Sequence, residues 1–189
     1  TVSSGRPYPR ECPHNVTMIN GIDPQHLSTV HNLDANLTME IDETKTRIDF
    51  SLFGGVNGET TMGKWVHRIF GPDYGYSMRY DHANNGFLTT MENVRLFNRW
   101  TIPPMHMIFA YRPIGIRDTL VQPIFMTRRR RGPLGWLISQ FCLAMTKLGF
   151  HALKHEDGEV YDNIRFHPGT LLPMDRPVAH FIGYVNRLE

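Results

Sequence analysis

Paired, alternating segments constrain this chain most. Leu37-Thr38-Met39-Glu40-Ile41 alternates apolar with polar, and so does Arg47-Ile48-Asp49-Phe50-Ser51-Leu52-Phe53. Side chains of a strand point to opposite faces in turn, so this pattern marks strands with one face buried. Asp42 to Lys45 supplies the turn between the two. The pattern returns at Tyr74–Tyr80 and again from Phe87 to Phe97, across the turn residues Asn84-Asn85-Gly86. Met105–Arg112 and Thr119–Thr127 form another pair, joined around Gly115. About six antiparallel strands in series predict a meander.

A different pattern brackets the meander. Gly132-Pro133 opens a long apolar stretch, with Leu134, Leu137, Ile138, Phe141, Met145 and Leu148 at helical spacing as far as Leu153. Asp23-Pro24 starts a helix expected to reach about Asn32, and Asp175-Arg176-Pro177 starts one expected to reach Leu188. Residues 60–70 read as a loop with a short strand. Residues 1–15 hold Pro7, Pro9 and Pro13 and read as an extended segment. The order helix, meander, long helix, helix predicts an α+β fold: one curved antiparallel sheet wrapped on long helices, a helix-grip-like arrangement.

The chain has 189 residues, enough for one domain with a full core. A net charge of +2 gives no argument for a nucleic-acid partner. Cys12 and Cys142 are too few for a disulfide framework, so a cytoplasmic, reducing setting is the expectation. Arg128 to Arg131 precede the long apolar segment, and such a pair can signal membrane contact. Ser139, Gln140, Thr146 and Lys147 argue against a spanning helix, and a buried core helix is favoured over a membrane one.

Ten histidines prompt a search for a metal site. The sharpest candidate is Asn20-Gly21-Ile22-Asp23-Pro24-Gln25-His26-Leu27-Ser28-Thr29-Val30-His31. His26 and His31 are five residues apart, about 140° around an ideal helix, so a shared ion requires a widened turn. On spacing alone, two unrelated polar helix residues are favoured. His67, His82, His106, His151, His167 and His180 have no ligand-like spacing. No P-loop, nucleophile elbow or GxGxxG offers rival chemistry.

The pattern N-x-x-D-x-x-H-x-x-x-x-H resembles the iron motif of Rieske non-haem iron oxygenases. Two later segments are similar to that family as well: His155-Glu156-Asp157-Gly158-Glu159-Val160, and Asp175 to Val178. The resemblance implies a mononuclear Fe(II) on His26, His31 and Asp157, a 2-His-1-carboxylate face that leaves room for dioxygen and substrate. Glu156 is the rival for Asp157, and Asp162 a weaker one; a solvated acidic turn is the plain alternative. Asp23 matches the residue that links the iron to a neighbouring subunit's cluster, and it also suits a helix cap. Asn20 is expected near the iron.

A Rieske [2Fe–2S] cluster needs two Cys and two His. Cys12-Pro13-His14 mimics half of that motif, but Cys142 is followed by Leu143, Ala144 and Met145. The resemblance therefore implies residues 1–15 as a linker from an absent Rieske domain, and 16–189 as the catalytic domain. The cluster is expected on that other domain. The implied partners are an apolar substrate, dioxygen, a ferredoxin or reductase, and a homotrimer at full length. The alternative class is a non-enzymatic module gripping a lipid- or pigment-like ligand.

Overall fold

In a computed structural model of the chain, the described residues are 1–30, 35–59, 61–97, 99–163, 169 and 171–188. Strands β1 (Val2–Ser4) and β2 (Tyr8–Arg10) lead into helix α1 (His14–Ile19). A 3₁₀ turn at Asn20–Ile22 joins α1 to helix α2 (Pro24–Thr29). Then come β3 (Ala35–Glu43), β4 (Arg47–Val56), helix α3 (Thr61–Phe70), β5 (Asp73–Asp81) and β6 (Asn85–Glu92). Short strands β7 (Arg95–Leu96) and β8 (Trp100–Thr101) pair with each other. Strands β9 (Met105–Pro113) and β10 (Thr119–Met126), helix α4 (Gly132–Asn163) and helix α5 (Arg176–Val185) complete the chain.

The main sheet has eight strands, antiparallel throughout, in the order β1-β10-β9-β6-β5-β4-β3, with β2 also on β10. The meander expected from the alternating segments is its body. Register follows from burial: Ile48, Phe50 and Leu52 point inward from β4, and Tyr76, Met78 and Tyr80 from β5. A slip of one residue would send all of them to the other face. Helices α1 and α5 cover this part of the sheet with Met18, Phe181 and Tyr184. Phe181 lies 4.7 Å from Tyr80 between ring centres, and the Tyr80 hydroxyl donates to the Met18 carbonyl. Leu143 and Phe150 of α4 cover Met107 and Phe125 at the other end.

Several expectations need correction. Residues 61–70 form α3, not a loop with a strand. Val66, Ile69 and Phe70 turn inward at helical spacing, whereas Gly63 and the threonines before it depress the local helix signal. The strand from Phe87 stops at Glu92 instead of Phe97. The N-terminal segment is extended where the prolines fall, but two of its stretches are hydrogen-bonded to β10, and helix begins at His14.

The largest correction concerns α4. It runs to Asn163 instead of Leu153, absorbing the acidic segment that read as a turn. It is also not a buried core helix along its first half. Leu134, Leu137, Phe141 and Leu148 are between 56% and 71% exposed. A helix with apolar residues on every side has more apolar surface than one sheet face can cover. No helix among the described residues is long and apolar enough to cross a membrane.

Candidate metal and ligand site

Asp23 ends the 3₁₀ turn in an extended conformation, and its Oδ1 accepts the Gln25 N–H at 2.9 Å. With Pro24 in the first turn, the cap and the fixed proline φ start α2 here and nowhere else. That start places His26 in the first turn, pointing into the fold; the residue is 9% exposed. The Val30 N–H bonds to the His26 carbonyl at 2.9 Å, an ordinary α-helical bond, so among the described residues α2 shows no widened turn as far as Val30. His31, and with it the expected convergence of the two imidazoles, lies outside the described residues.

Asp157 comes from the opposite direction, on the inward face of α4. Its Oδ1 accepts the His26 Nε2–H at 2.8 Å, a contact between residues 131 apart in sequence. Both side chains are largely buried, at 10% and 16% exposure. Glu156, the rival acid, is on the exposed face. Asp162 has no described side chain. Among the described residues no three His, Cys, Asp or Glu side chains converge.

Asn20 projects from the 3₁₀ turn onto the same space. Its Oδ1 is buried and has no hydrogen-bond partner among the described residues. Buried amide oxygens are nearly always satisfied, so an orphan facing a cavity points to a group that binds there. Asp23 is engaged as the cap and sits close enough to Tyr76 to help raise its pKa, behind the larger effect of burial. Cys12 is fully buried with Sγ 3.0 Å from Thr17 Oγ1, and burial lowers the pKa of His14.

The pair opens onto a cleft that is itself partly open to solvent. Its walls are aromatic and apolar: Tyr74, Tyr76 and Met78 of β5, Leu88 of β6, Phe109 and Tyr111 of β9, and Phe150 of α4. Tyr8, Tyr111 and Tyr161 are all pushed to higher pKa, by burial first and with a smaller contribution from the Asp157 charge. These phenols stay protonated. Tyr161 spends its proton on the Thr17 carbonyl at 3.2 Å, tying α4 to α1.

Two cations also line this cleft, and the sequence reading missed both. Arg10 ends β2 and is only 7% exposed; Lys154 lies one helical turn before Asp157. Burial, and then the charge of Arg10, lower the pKa of Lys154. The three-residue spacing of Lys154 and Asp157 was a usable signal, because i and i+3 share a helix face. Nothing in the sequence marked Arg10. Of the histidines read as ordinary, His67 bonds to the Val56 carbonyl, His106 to Thr89 at 3.1 Å, and His180 to Glu43 at 2.7 Å.

No family model and no curated protein sequence matches this chain. Solved structures do. Dicamba monooxygenase bound to dicamba superposes with a TM-score of 0.67 at 14% identity, over 99% of this chain and 57% of that one. NdmB of Pseudomonas putida CBB5 gives 0.63 at 13% identity, over 96% and 48%. NdmA of the same organism, in a mutant form with theobromine, gives 0.61 at 12%, over 98% and 49%. At these identities the likeness is one of fold: this chain shares the fold of the matched part of those structures. The chain spans about half the length of the structures it matches.

Proposed function

We propose that this chain is the catalytic domain of a Rieske-type oxygenase that oxidises an apolar substrate beside a mononuclear Fe(II). The observation that carries this reading is the His26–Asp157 contact at the wall of an aromatic cleft. Two ligands in adjacent positions on one ion, each about 2.1 Å from it, lie about 3 Å apart. The 2.8 Å between Nε2 and Oδ1 matches that spacing. A neutral imidazole and a carboxylate are also the donors that suit Fe(II). The partnerless Asn20 oxygen on the same cleft fits a polar group bound there. His31 is the proposed third ligand.

Fe(II) held there supplies the activation of dioxygen. The chain's own residues do the rest. Their roles follow from where they stand. The apolar walls desolvate the substrate and orient it toward the His26–Asp157 end. Asn20 offers a carbonyl oxygen to a proton-bearing group bound there. Asp23 fixes the start of α2, and thereby the direction of His26. A Rieske cluster on another domain, fed by a ferredoxin or reductase, would supply the electrons, and Asp23 is the proposed link across a trimer interface. The apolar-ligand module shares the cleft but gives no reason for a histidine and a carboxylate to meet inside it.

Anaerobic Fe(II) loading tests the proposal. About one iron per chain is expected, lost in His26→Ala, with affinity falling far more in Asp157→Ala than in Glu156→Ala. No bound iron in the unmodified chain would defeat the reading, and equal small losses in the two acid variants would move the site elsewhere.

A further inference from the structure

Arg10 and Lys154 are the least expected residues of the cleft. Arg10 is buried and Lys154 half-buried beside it, and burying a cation such as Arg10 is costly unless it is paired. Yet neither has a carboxylate within 4.0 Å among the described residues. Arg10 donates from Nη2 to the Lys154 carbonyl at 2.9 Å, which uses one of its five N–H groups. Its guanidinium lies 5.0 Å from the Tyr8 ring centre and 5.5 Å from that of Tyr161. Lys154 Nζ lies 4.0 Å from the centre of the same Tyr8 ring. Two positive groups therefore converge on one aromatic ring at the wall of the cleft.

The helix is cut to fit this arrangement. Gly158 sits inside α4, where a glycine is a poorer helix former than alanine. A Cβ at that position would stand 2.8 Å from Arg10 Nη1. The glycine thus makes room for the guanidinium against the helix, one residue from Asp157. A surface arginine would need no such space.

We propose that Arg10 and Lys154 form the recognition site for an anionic head group, and that the ligand of the cleft is an apolar carboxylic acid. The planar guanidinium suits a carboxylate, Lys154 adds a point charge, and the aromatic walls take the apolar body. The head group is then held one turn of α4 from Asp157, so the carboxylate fixes which part of the body faces the His26–Asp157 end. This deepens the oxygenase reading by naming its substrate class, but the recognition itself does not depend on bound iron.

The test is therefore made on the full chain both stripped of metal with a chelator and loaded with Fe(II). Binding of 2-naphthoate and octanoate is measured by calorimetry against their neutral amides. Each acid is expected to bind about ten- to a hundredfold more tightly than its amide, the value of hydrogen bonds to a charged group. Lys154→Met and Arg10→Met should each erase most of that preference while leaving amide binding in place. Lys154→Met guards against misfolding of the Arg10 variant, because among the described residues its ammonium makes no hydrogen bond and rests only on the Tyr8 ring. His26→Ala should keep the preference even where it loses iron. Equal binding of acid and amide, a preference that survives both substitutions, or no saturable binding of either acid would overturn the proposal. Loss of iron binding with the acid preference intact would instead defeat the oxygenase reading alone.

Discussion

Helix α4 is two helices in one. From Leu134 to Leu148 it carries a row of apolar side chains turned to solvent; Leu134 is 71% exposed, Phe141 67% and Leu148 63%. From Phe150 to Tyr161 its inward face meets the sheet and α1, and Phe150, Gly158 and Tyr161 are buried while its outward face turns to His155, Glu156 and Glu159. The first half also has a buried face, with Ser139, Leu143 and Thr146, but most of its large apolar side chains lie on the side away from the sheet. Side-chain character says what a residue can bury; the position of a partner surface says what it does bury. Phe150 meets Tyr8, Phe109 and Phe125, with the Phe125 ring centre 5.3 Å away. Phe141 projects from the opposite side of the same helix.

The widest gap between the two halves should appear on truncating these phenylalanines. Phe150→Ala is expected to cost about 3–5 kcal/mol, the usual loss for a core phenylalanine. Phe141→Ala should stay within about 0.5 kcal/mol, as exposed substitutions do. Urea unfolding of the two variants decides it, and comparable losses would mean that the outward row is packed in solution.

A smaller effect sharpens the account of the second half. Gly158→Ala would gain about 1 kcal/mol from helix propensity alone. The clash with Arg10 should reverse that sign and leave the variant less stable than the parent. In an Arg10→Met background the same change should become neutral or stabilising, an interaction that a double-mutant cycle reads directly. An unchanged penalty would show that Gly158 makes room for something other than the guanidinium.

Tyr161→Phe removes the hydrogen bond to the Thr17 carbonyl and leaves that buried oxygen without it. A loss of about 1–2 kcal/mol is expected in thermal unfolding. No loss would indicate that α4 is not tied to α1 through this hydroxyl.

The smallest effect lies far from α4. Glu43 of β3 accepts from Arg187 at 2.5 Å and from His180 of α5 at 2.7 Å. The Arg187 hydrogen bond, more than that of His180, holds the Glu43 carboxyl below its ordinary value of 4.5. A lowered carboxyl pKa stabilises the fold above the ordinary value, and this contribution is lost as pH falls through the lowered one. The group is solvent-screened, so Glu43→Gln should cost no more than about 0.5 kcal/mol at pH 7 and nothing near pH 2. A loss that persists in acid would assign the effect to packing.

The sequence by itself determined the meander, because alternation at period two is a local property and each turn residue lies beside the strands it joins. It determined the start of α2 for the same reason: Asp23 caps and Pro24 begins the helix without help from elsewhere. It also singled out His26 and Asp157, through a motif and not through any physical link between residues 131 apart. Tertiary structure alone decided that these two meet, since only the packing of α4 across β9 and β10 brings its inward face to α2. It alone decided which face of α4 is buried, because helical periodicity shows where an apolar face lies and not whether a sheet is there to cover it. It alone assembled Arg10 with Lys154, from a short strand at one end of the chain and a helix near the other. A buried charge leaves no local pattern; its meaning depends on what surrounds it, and that is fixed only when the chain has folded.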